Sequence, residues 1–293
     1  MKIIMTCALI TISLSACILE GLCGQAPDNT DRLIQVGDIK MGYRIYGNGY
    51  PLVMIMGYGS TMKLWEPELI RMLSSCFKLI VFDNRGMGNT EVGQREFTLQ
   101  QFADDTAGLM DALGIRQAHV LGWSMGALIA EEVVLRHPGK VNKLVLYAAH
   151  CNASLFPPAP EVVQKLTDTS GTLEEQGMRF ISVLFPPDWL QIHRERIKEI
   201  FYRPMGNIST ETVAKQSMAI DTWKGCCDRL GEINNPTLVI AGADDVLVPP
   251  ENARYLTKKV PNAQLVLSEN GGHGLMFQYP DKFSEKVIGF LRG

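Results

Sequence analysis

The segment GWSMG, residues 122–126, places a serine between two glycines where an apolar, strand-like run gives way to a helical pattern. A turn that sharp forces strained backbone angles on Ser124, and Gly122 and Gly126 leave the room that the turn needs. The serine hydroxyl would then stand clear of the backbone at the N-terminus of a helix. The pattern predicts a nucleophilic serine, and the alternative is a serine that caps the helix.

A neutral serine becomes a good nucleophile only when a base lies within hydrogen-bond reach. Among the five histidines, His273 lies in the glycine-rich segment ENGGHGLMF after the last predicted strand, where a loop can present a side chain. The others lie in or beside predicted strands and helices, where structural roles are ordinary: His119, His137, His150 and His193. We therefore expect His273 to be the base.

A protonated histidine needs a carboxylate that orients the ring and stabilises its charge. The segment AGADDVLVPP, residues 241–250, follows the penultimate predicted strand and contains two candidates, Asp244 and Asp245. Both carboxylates cannot orient one imidazole. With either of them, the chain order would be serine, aspartate, histidine, with the longer gap between the first two.

The candidate residues follow short apolar runs that alternate with helical patterns. The runs predict strands buried on both faces at residues 51–57, 77–83, 118–124, 143–149, 236–242 and 263–269. Helical spacing predicts helices near residues 98–113, 125–137, 251–260 and 281–291. Residues 33–46 alternate around Gly37-Asp38 and predict a hairpin. This order indicates an α/β fold with a mostly parallel central sheet flanked by helices.

One long interruption separates the two halves of this pattern. Residues 151–235 contain helical patterns and turn-forming prolines but no convincing buried strand. We interpret them as an inserted helical cap on a core formed by residues 32–150 and 236–293. A minority of the apolar side chains of the cap would face a cleft, which would suit a small apolar substrate.

The N-terminus has a composition of its own. Residues 1–17, MKIIMTCALITISLSAC, combine an early lysine, an apolar run and small residues, which is the pattern of an export signal. The run is shorter than the roughly 20 residues of a membrane-spanning helix. Its ending LSAC resembles the lipobox of prokaryotic lipoproteins, which implies a lipid on Cys17 and a membrane-anchored protein of the cell envelope. The alternative is ordinary secretion, and residues 18–31 would form a flexible tether.

Charge and cysteine content exclude several classes of function. The net charge is −3 and no run of lysine or arginine is present, so we expect no nucleic-acid partner. The cysteines beyond Cys17 are odd in number and lack metal-ligand or redox spacing, so we expect no metal site. We interpret Cys76 and Cys151 as small buried hydrophobic side chains. The sequence alone indicates no role for the vicinal pair Cys226-Cys227.

Several motifs in a common order resemble those of the α/β-hydrolases, in the group of serine esterases, lactonases and haloperoxidase-like enzymes. They are FDNRGMGNT (82–90), GWSMG (122–126), PTLVIAGADDVLVPPENA (236–253) and GGHG (271–274), within about residues 33–291. The resemblance favours Asp245 as the acid, because three residues and a proline follow it. It also implies an oxyanion hole from the backbone N–H groups of Tyr58 and Met125, although Met56 stands where the family usually has histidine.

This resemblance implies a serine hydrolase with the triad Ser124, Asp245 and His273 and no cofactor. It would cleave a carboxylic ester, lactone or thioester of a small, largely apolar substrate through an acyl-enzyme. Alternatives with the same residues are a perhydrolase or haloperoxidase-like enzyme, a C–C hydrolase and an acyltransferase. A further alternative is a non-catalytic surface binding protein. The turn at residues 83–90 lacks the spacing of a phosphate-binding loop, so we expect a structural loop at the pocket rim.

Overall fold

The computed structural model describes residues 30–201 and 203–293. Within them, eight strands form one sheet: β1 (Arg32–Val36), β2 (Ile39–Tyr46), β3 (Tyr50–Ile55), β4 (Phe77–Phe82), β5 (Ala118–Trp123), β6 (Val141–Tyr147), β7 (Thr237–Gly242) and β8 (Ala263–Ser268). The strand order is β1-β2-β4-β3-β5-β6-β7-β8. Strand β2 pairs in the antiparallel sense with β1 and β4, and all other neighbours are parallel. The predicted hairpin and the mostly parallel sheet are confirmed.

Helices cover both faces of this sheet, as the fold class predicted. In the described part of the chain they are α1 (Pro67–Ser74), α2 (Leu99–Ala112), α3 (Met125–Arg136), α4 (Pro160–Thr167), α5 (Leu173–Leu184), α6 (Pro187–Ile192), α7 (Arg194–Phe201), α8 (Thr210–Thr222), α9 (Pro250–Lys259), α10 (Leu275–Gln278) and α11 (Pro280–Arg292). The predicted helices correspond to α2, α3, α9 and α11. Helices α1 and α10 were not predicted because one is only two turns long and the other only one.

The core forms two layers, one on each face of the sheet. Phe102 of α2, Ile129 of α3 and Leu256 of α9 lie on one face, whereas Leu69 of α1 and Val287 of α11 lie on the other. All five side chains are almost completely buried. Burial of each such side chain stabilises the fold by about 1.5–3 kcal/mol. Because β3, β5, β6, β7 and β8 run parallel, the loops that follow them meet at the same edge of the sheet.

Between β6 and β7 the chain leaves the sheet and forms a helical insertion. Helices α5 to α8 make up most of it, and α4 precedes them. The part of residues 151–235 that the structure describes contains no strand, in agreement with the sequence pattern. The domain limits at 32–150, 151–235 and 236–293 remain predictions, as do those of the signal and the tether. Cys17 and residues 1–29 lie outside the described residues.

The cysteines differ from the sequence interpretation. Cys151 is buried but it is not an unpaired hydrophobic side chain, because it forms a disulfide with Cys227. The two residues are 76 positions apart, a pairing that the sequence does not reveal. Cys226 is a buried free thiol, and burial raises its pKa, so it is not a thiolate ready for exchange. Cys76 is free and half-buried. The disulfide therefore joins the beginning of the insertion to its end.

Removal of this disulfide should destabilise the protein. We expect Cys151→Ser to lower the free energy of unfolding by about 2–5 kcal/mol, since the bond closes a long loop in the unfolded chain. Urea unfolding with and without reductant measures the effect. The matched control Cys76→Ser should unfold like the wild type, and reductant should destabilise this control but not Cys151→Ser. Equal stability of Cys151→Ser and wild type under oxidising conditions would contradict the prediction.

The described helices include no membrane span. Among residues 30–201 and 203–293, none of the helices has the length and apolar character needed to cross a bilayer.

Candidate active site

Ser124 occupies a strained turn between β5 and α3. Its backbone angles are φ 55° and ψ −122°, a conformation that side-chain-bearing residues rarely adopt. The Ser124 side chain forms no capping hydrogen bond with α3, so the interpretation of Ser124 as an ordinary helix cap is wrong. Its backbone N–H donates instead to the Tyr147 carbonyl at 2.9 Å, which ties the turn to the neighbouring strand. The strained turn thus leaves the hydroxyl free for another partner.

The two flanking glycines are required by close backbone contacts. A Cβ atom on Gly122 would lie 2.1 Å from the carbonyl oxygen of Gly126. A Cβ atom on Gly126 would lie 2.1 Å from the carbonyl oxygen of Ile55 at the end of β3. Both distances are far below van der Waals contact, so no larger residue fits without a shift of the backbone. The glycine spacing therefore reflects the packing of α3 against two strands.

His273 and Asp245 form a buried hydrogen-bonded pair. The Nδ1 atom of His273 lies 2.9 Å from Oδ2 of Asp245. The other carboxylate oxygen, Oδ1, accepts the backbone N–H groups of Leu247 at 2.9 Å and Val248 at 2.8 Å. Asp245 is almost completely buried, whereas the neighbouring Asp244 is exposed. Of the two candidate acids, the structure brings only Asp245 against His273.

Two aromatic side chains that the sequence did not single out hold the His273 loop in place. The carbonyl oxygen of His273 accepts the indole N–H of Trp123 at 3.2 Å and the phenol of Tyr147 at 2.5 Å. Burial raises the pKa of Tyr147 well above its usual range, so the phenol stays a donor. Helix α5 adds a further contact, because the Gly274 N–H donates to the Leu184 carbonyl at 2.8 Å. In the sequence Trp123 and Tyr147 look like ordinary core residues. Only their contacts in the structure show that they hold the His273 loop.

Ser124 and His273 line one pocket of about 230 Å³. The loop after β3 forms one side of it with Tyr58. The remaining walls are mostly apolar and come from both the sheet edge and the insertion: Leu64, Trp123, Phe180, Leu184, Phe201, Met205 and Leu247. The insertion thus supplies part of the wall. As expected, only a minority of its apolar side chains face the cleft. A mostly apolar pocket of this size fits a small apolar group.

The loop after β3 contains the first of the two predicted oxyanion donors. Tyr58 lies in this loop and Met125 is the first residue of α3, directly after Ser124. Met56, in the place of the family's usual histidine, is completely buried in the core. Its carbonyl oxygen accepts the side-chain amide of Asn84 at 3.0 Å. The loop is therefore held from below by the turn at residues 83–90.

That glycine-rich turn is itself held by buried charges. Arg85 is completely buried and donates to both oxygens of Asp105, at 2.8 and 2.7 Å, and to both oxygens of Asp38, at 3.0 and 2.8 Å. Asp83 accepts the backbone N–H groups of Met62 at 2.7 Å and Asn89 at 2.9 Å. The polar side chains of the turn are used within the protein, as expected for a structural loop.

Helix α8 of the insertion makes a second contact with the loop after β3. The backbone N–H of Gly59 donates to Oε1 of Gln216, a residue of α8, at 2.9 Å. Gln216 is completely buried, and its Nε2 atom has no partner among the described residues. The Tyr58 phenol is half-buried, which raises its pKa, and Ser217, the next residue of α8, lies near it. Sequence reasoning missed Gln216, because its contact spans 157 positions.

His150, which follows β6, has a pKa below the usual value for histidine. Burial and, as a smaller cause, the positive charge that the nearby His273 can carry together lower the pKa of His150 from 6.5 to about 4. The folded protein therefore binds fewer protons than the unfolded chain between these two pH values. Its stability must fall as the pH drops through that range.

A variant tests this linkage directly. We expect His150→Phe to flatten the dependence of the free energy of unfolding on pH between 6.5 and about 4. The change in slope should approach 1.4 kcal/mol per pH unit, because one proton fewer is taken up on unfolding. Urea unfolding at a series of pH values measures it. His119→Phe should act in the same direction, since burial also lowers the pKa of His119 to about 4. Unchanged slopes in both variants would contradict the assignment.

Metal ligands are not clustered in the described part of the chain. Within residues 30–201 and 203–293, no group of three or more histidine, cysteine, aspartate or glutamate side chains could hold a metal ion.

The sequence of this chain matches a known protein family over most of its length. A family model described as Serine aminopeptidase, S33, matches residues 51–279, which is most of the chain. The chain belongs to this α/β-hydrolase family. A relative from Agrobacterium fabrum, RutD, with a provisional carbamate hydrolase name, is 30% identical over 253 residues, 82% of this chain and 92% of its own length. As a member of the family, the chain is a hydrolase.

Solved α/β-hydrolase structures have the same fold. A hydrolase from Pseudomonas aeruginosa superimposes with a TM-score of 0.77 at 25% identity, covering 91% of this chain and all of its own. An enol-lactonase from Burkholderia xenovorans superimposes with the same TM-score at 24% identity, covering 89% of this chain and all of its own. The arrangement of sheet, helices and helical insertion is therefore that of the α/β-hydrolase fold.

Proposed function

We propose that this α/β-hydrolase is a serine hydrolase that cleaves the carboxylic ester, lactone or thioester bond of a small, largely apolar substrate. One observation carries the proposal: Ser124 stands in a strained turn and lines the same small pocket as His273, which is hydrogen-bonded to the buried Asp245. A serine, an imidazole and an orienting carboxylate supply the groups that acyl transfer to serine requires.

In this mechanism Ser124 Oγ attacks the carbonyl carbon while His273 Nε2 takes the hydroxyl proton. Asp245 keeps the proton of His273 on Nδ1, so that Nε2 is free to accept, and stabilises the imidazolium that forms. His273 then gives the proton to the departing alcohol, which leaves an acyl group on Ser124. Water, activated by the same histidine, releases the acid and restores the serine.

The negative charge on the attacked carbonyl oxygen would be stabilised by two backbone N–H groups, those of Tyr58 and Met125. Such donors are effective because they are fixed before the reaction and lie in a pocket that excludes most water. Asn84 bonds Met56, two residues before Tyr58, and Gln216 bonds Gly59, the residue after it, which supports a fixed position for the Tyr58 amide.

The walls of the pocket favour a compact apolar group on one side of the scissile bond. The similar proteins are named for carbamate and lactone hydrolysis, and both substrates contain a carbonyl bonded to a heteroatom. An ester-like carbonyl is the common feature that Ser124 would attack. Perhydrolysis, C–C hydrolysis and acyl transfer would use the same residues with a different acceptor or leaving group.

Hydrolysis of short- and medium-chain p-nitrophenyl esters tests the proposal, together with labelling by a fluorophosphonate probe. Turnover with labelling at Ser124 supports ester hydrolysis, and the preferred chain length then describes the pocket. Labelling without turnover would mean that the serine is activated but that simple esters are not substrates. That result would favour perhydrolysis, C–C hydrolysis or acyl transfer. Folded protein without turnover or labelling would favour the non-catalytic binding protein.

The Gln216 contact gives a prediction about the rate. We expect Gln216→Leu to lower kcat by about 10- to 100-fold with little change in KM, because the loop that carries the Tyr58 amide loses its support. Gln216→Glu keeps an oxygen acceptor for the Gly59 N–H and breaks no hydrogen bond of Nε2, and burial favours the neutral form of the new carboxyl, so this variant should recover part of the rate. Steady-state kinetics on a p-nitrophenyl ester measures both variants. Equal losses in the two variants would show that only packing matters here.

We also propose that the chain is exported and attached to a membrane through a lipid on Cys17. The lipobox-like LSAC sequence supports this, and so does the Cys151–Cys227 disulfide, since such bonds persist mainly in oxidising compartments. Metabolic labelling with an alkyne fatty acid should mark the wild type and not Cys17→Ala. Labelling that survives in Cys17→Ala, or an unprocessed protein in the cytoplasm, would overturn the proposal.

A further inference from the structure

A second and larger concavity adjoins the candidate active-site pocket. This groove, which we call the α8 groove, has a volume of about 600 Å³ and is open to solvent. Its lining includes Tyr58, Ile208, Val213, Ser217, Met218 and Asp221. Tyr58 also lines the pocket of Ser124 and His273, so the two spaces meet at this residue. A molecule that extends from Ser124 past Tyr58 would therefore enter the α8 groove.

One face of α8 forms the floor of this groove. Val213, Ser217 and Asp221 follow one another at intervals of four residues, with Met218 beside them, so they lie on the same side of the helix. Gln216 lies on the opposite, buried side, where it bonds the loop after β3. Helix α8 is thus fixed by one face against the loop after β3, and it presents its other face to the α8 groove.

Large apolar side chains are exposed along the groove. Met218 is 65% exposed and Ile208 is 39% exposed. Adjacent exposed apolar side chains are typical of binding surfaces, and a flexible methionine adapts to apolar ligands of varied shape. The walls therefore suit an unbranched or lightly branched hydrocarbon chain.

The groove also carries an uncompensated negative charge. Asp221 is exposed and forms no ion pair with another residue in the described part of the chain. It lies close enough to Tyr58 to act on the phenol electrostatically. In contrast, Glu211 at the start of the same helix is paired with Lys215 at 2.7 Å. A free carboxylate next to an aromatic ring and apolar walls favours a cation, through charge attraction and a cation–π contact.

We infer that the α8 groove is a second substrate subsite, which binds an apolar leaving-group arm that ends in an ammonium group. The inference rests on the proposed serine hydrolase function. The smaller pocket around Ser124 and His273 holds the acyl group, while the larger and more open groove holds the alcohol, which must leave before water can enter. In the acylation step the bond from Ser124 Oγ to the acyl carbon forms and the ester C–O bond breaks. The alcohol oxygen takes the proton that His273 received from Ser124, so a cationic amino alcohol is released.

The test compares esters that differ only in the charge of the arm. Butyrates of short, medium and long ω-trimethylammonioalkyl alcohols are paired with neutral ω-tert-butylalkyl butyrates of the same shape, and ethyl butyrate serves as a reference without an arm. We expect the full chain to prefer the cationic ester at one chain length, by about 3- to 10-fold in kcat/KM, the range of one exposed charge contact with a cation–π contribution.

Variants then separate charge from shape. Asp221→Asn should remove the preference for the cationic arm and leave ethyl butyrate unchanged. Met218→Ser should weaken both long-arm esters relative to ethyl butyrate. The control Glu211→Gln makes the same charge change on the same helix outside the groove and should keep the preference. A preference that survives in Asp221→Asn, or equal rates for charged and neutral arms at every length, would overturn the inference.

A second readout does not depend on turnover. Fluorophosphonates that carry the same cationic and neutral arms should label Ser124 at rates that differ in the wild type and not in Asp221→Asn. Equal labelling rates with active ester hydrolysis would refute the groove subsite while the proposed function stands. Absence of both labelling and hydrolysis in folded protein would refute the proposed function itself.

Discussion

Ser124→Ala should lower kcat/KM for p-nitrophenyl esters by about 10⁴-fold or more, because the acyl-enzyme can no longer form. The substitution removes one oxygen atom, which makes no capping hydrogen bond with α3. Alanine has the same backbone preferences as serine at φ 55° to a good approximation, so the turn should persist. Steady-state kinetics and fluorophosphonate labelling measure the loss.

Two comparisons make the Ser124→Ala result interpretable. Ser154 is exposed in a loop outside the pocket, so Ser154→Ala should keep wild-type activity and labelling. The circular dichroism spectrum and Tm of Ser124→Ala should match those of the wild type, which would assign the loss to chemistry. Retention of ester turnover in folded Ser124→Ala would reject Ser124 as the nucleophile.

Asp245→Asn should lower kcat by about 10⁴-fold through the orientation of His273. Oδ1 of Asp245 accepts two backbone N–H groups, from Leu247 and Val248. An asparagine must keep its oxygen on these donors, so its NH2 group would face Nδ1 of His273. That arrangement favours the tautomer with the proton on Nε2, which cannot accept the proton of Ser124.

Asp244→Asn is the matched control for this experiment. Asp244 is adjacent in sequence but exposed, and its substitution makes the same change of charge and shape. It should leave kcat within about twofold of the wild type, because a solvated charge at that position acts weakly on the buried histidine. If Asp244→Asn lost as much activity as Asp245→Asn, the acid would be misassigned.

The positions of the serine and the histidine were accessible from local sequence patterns. GWSMG combines a strand, a close turn and a helix within a few residues, and the structure shows why Gly122 and Gly126 flank the serine. Likewise, His273 follows the last strand in a glycine-rich loop and lies against an aspartate. Backbone crowding and the alternation of strands with helices depend on residues that are close together in the chain, so local sequence patterns indicate them.

The choice between Asp244 and Asp245 depended on a resemblance, because both residues have the same chemistry and neighbouring positions. Burial separates them: the loop after β7 turns one side chain toward His273 and the other toward solvent. Similarly, Cys151 looked like any small hydrophobic residue until its partner Cys227 lay beside it.

By itself, the sequence determined the order of strands and helices, the strained serine turn and the histidine loop of this hydrolase. Only the tertiary structure decided which apolar side chains line the pocket, that Trp123 and Tyr147 hold the histidine loop, and that Gln216 supports the loop after β3. The physical reason is distance along the chain. A contact between segments far apart depends on how the insertion folds over the sheet edge, and a core residue and a cleft residue have the same local pattern.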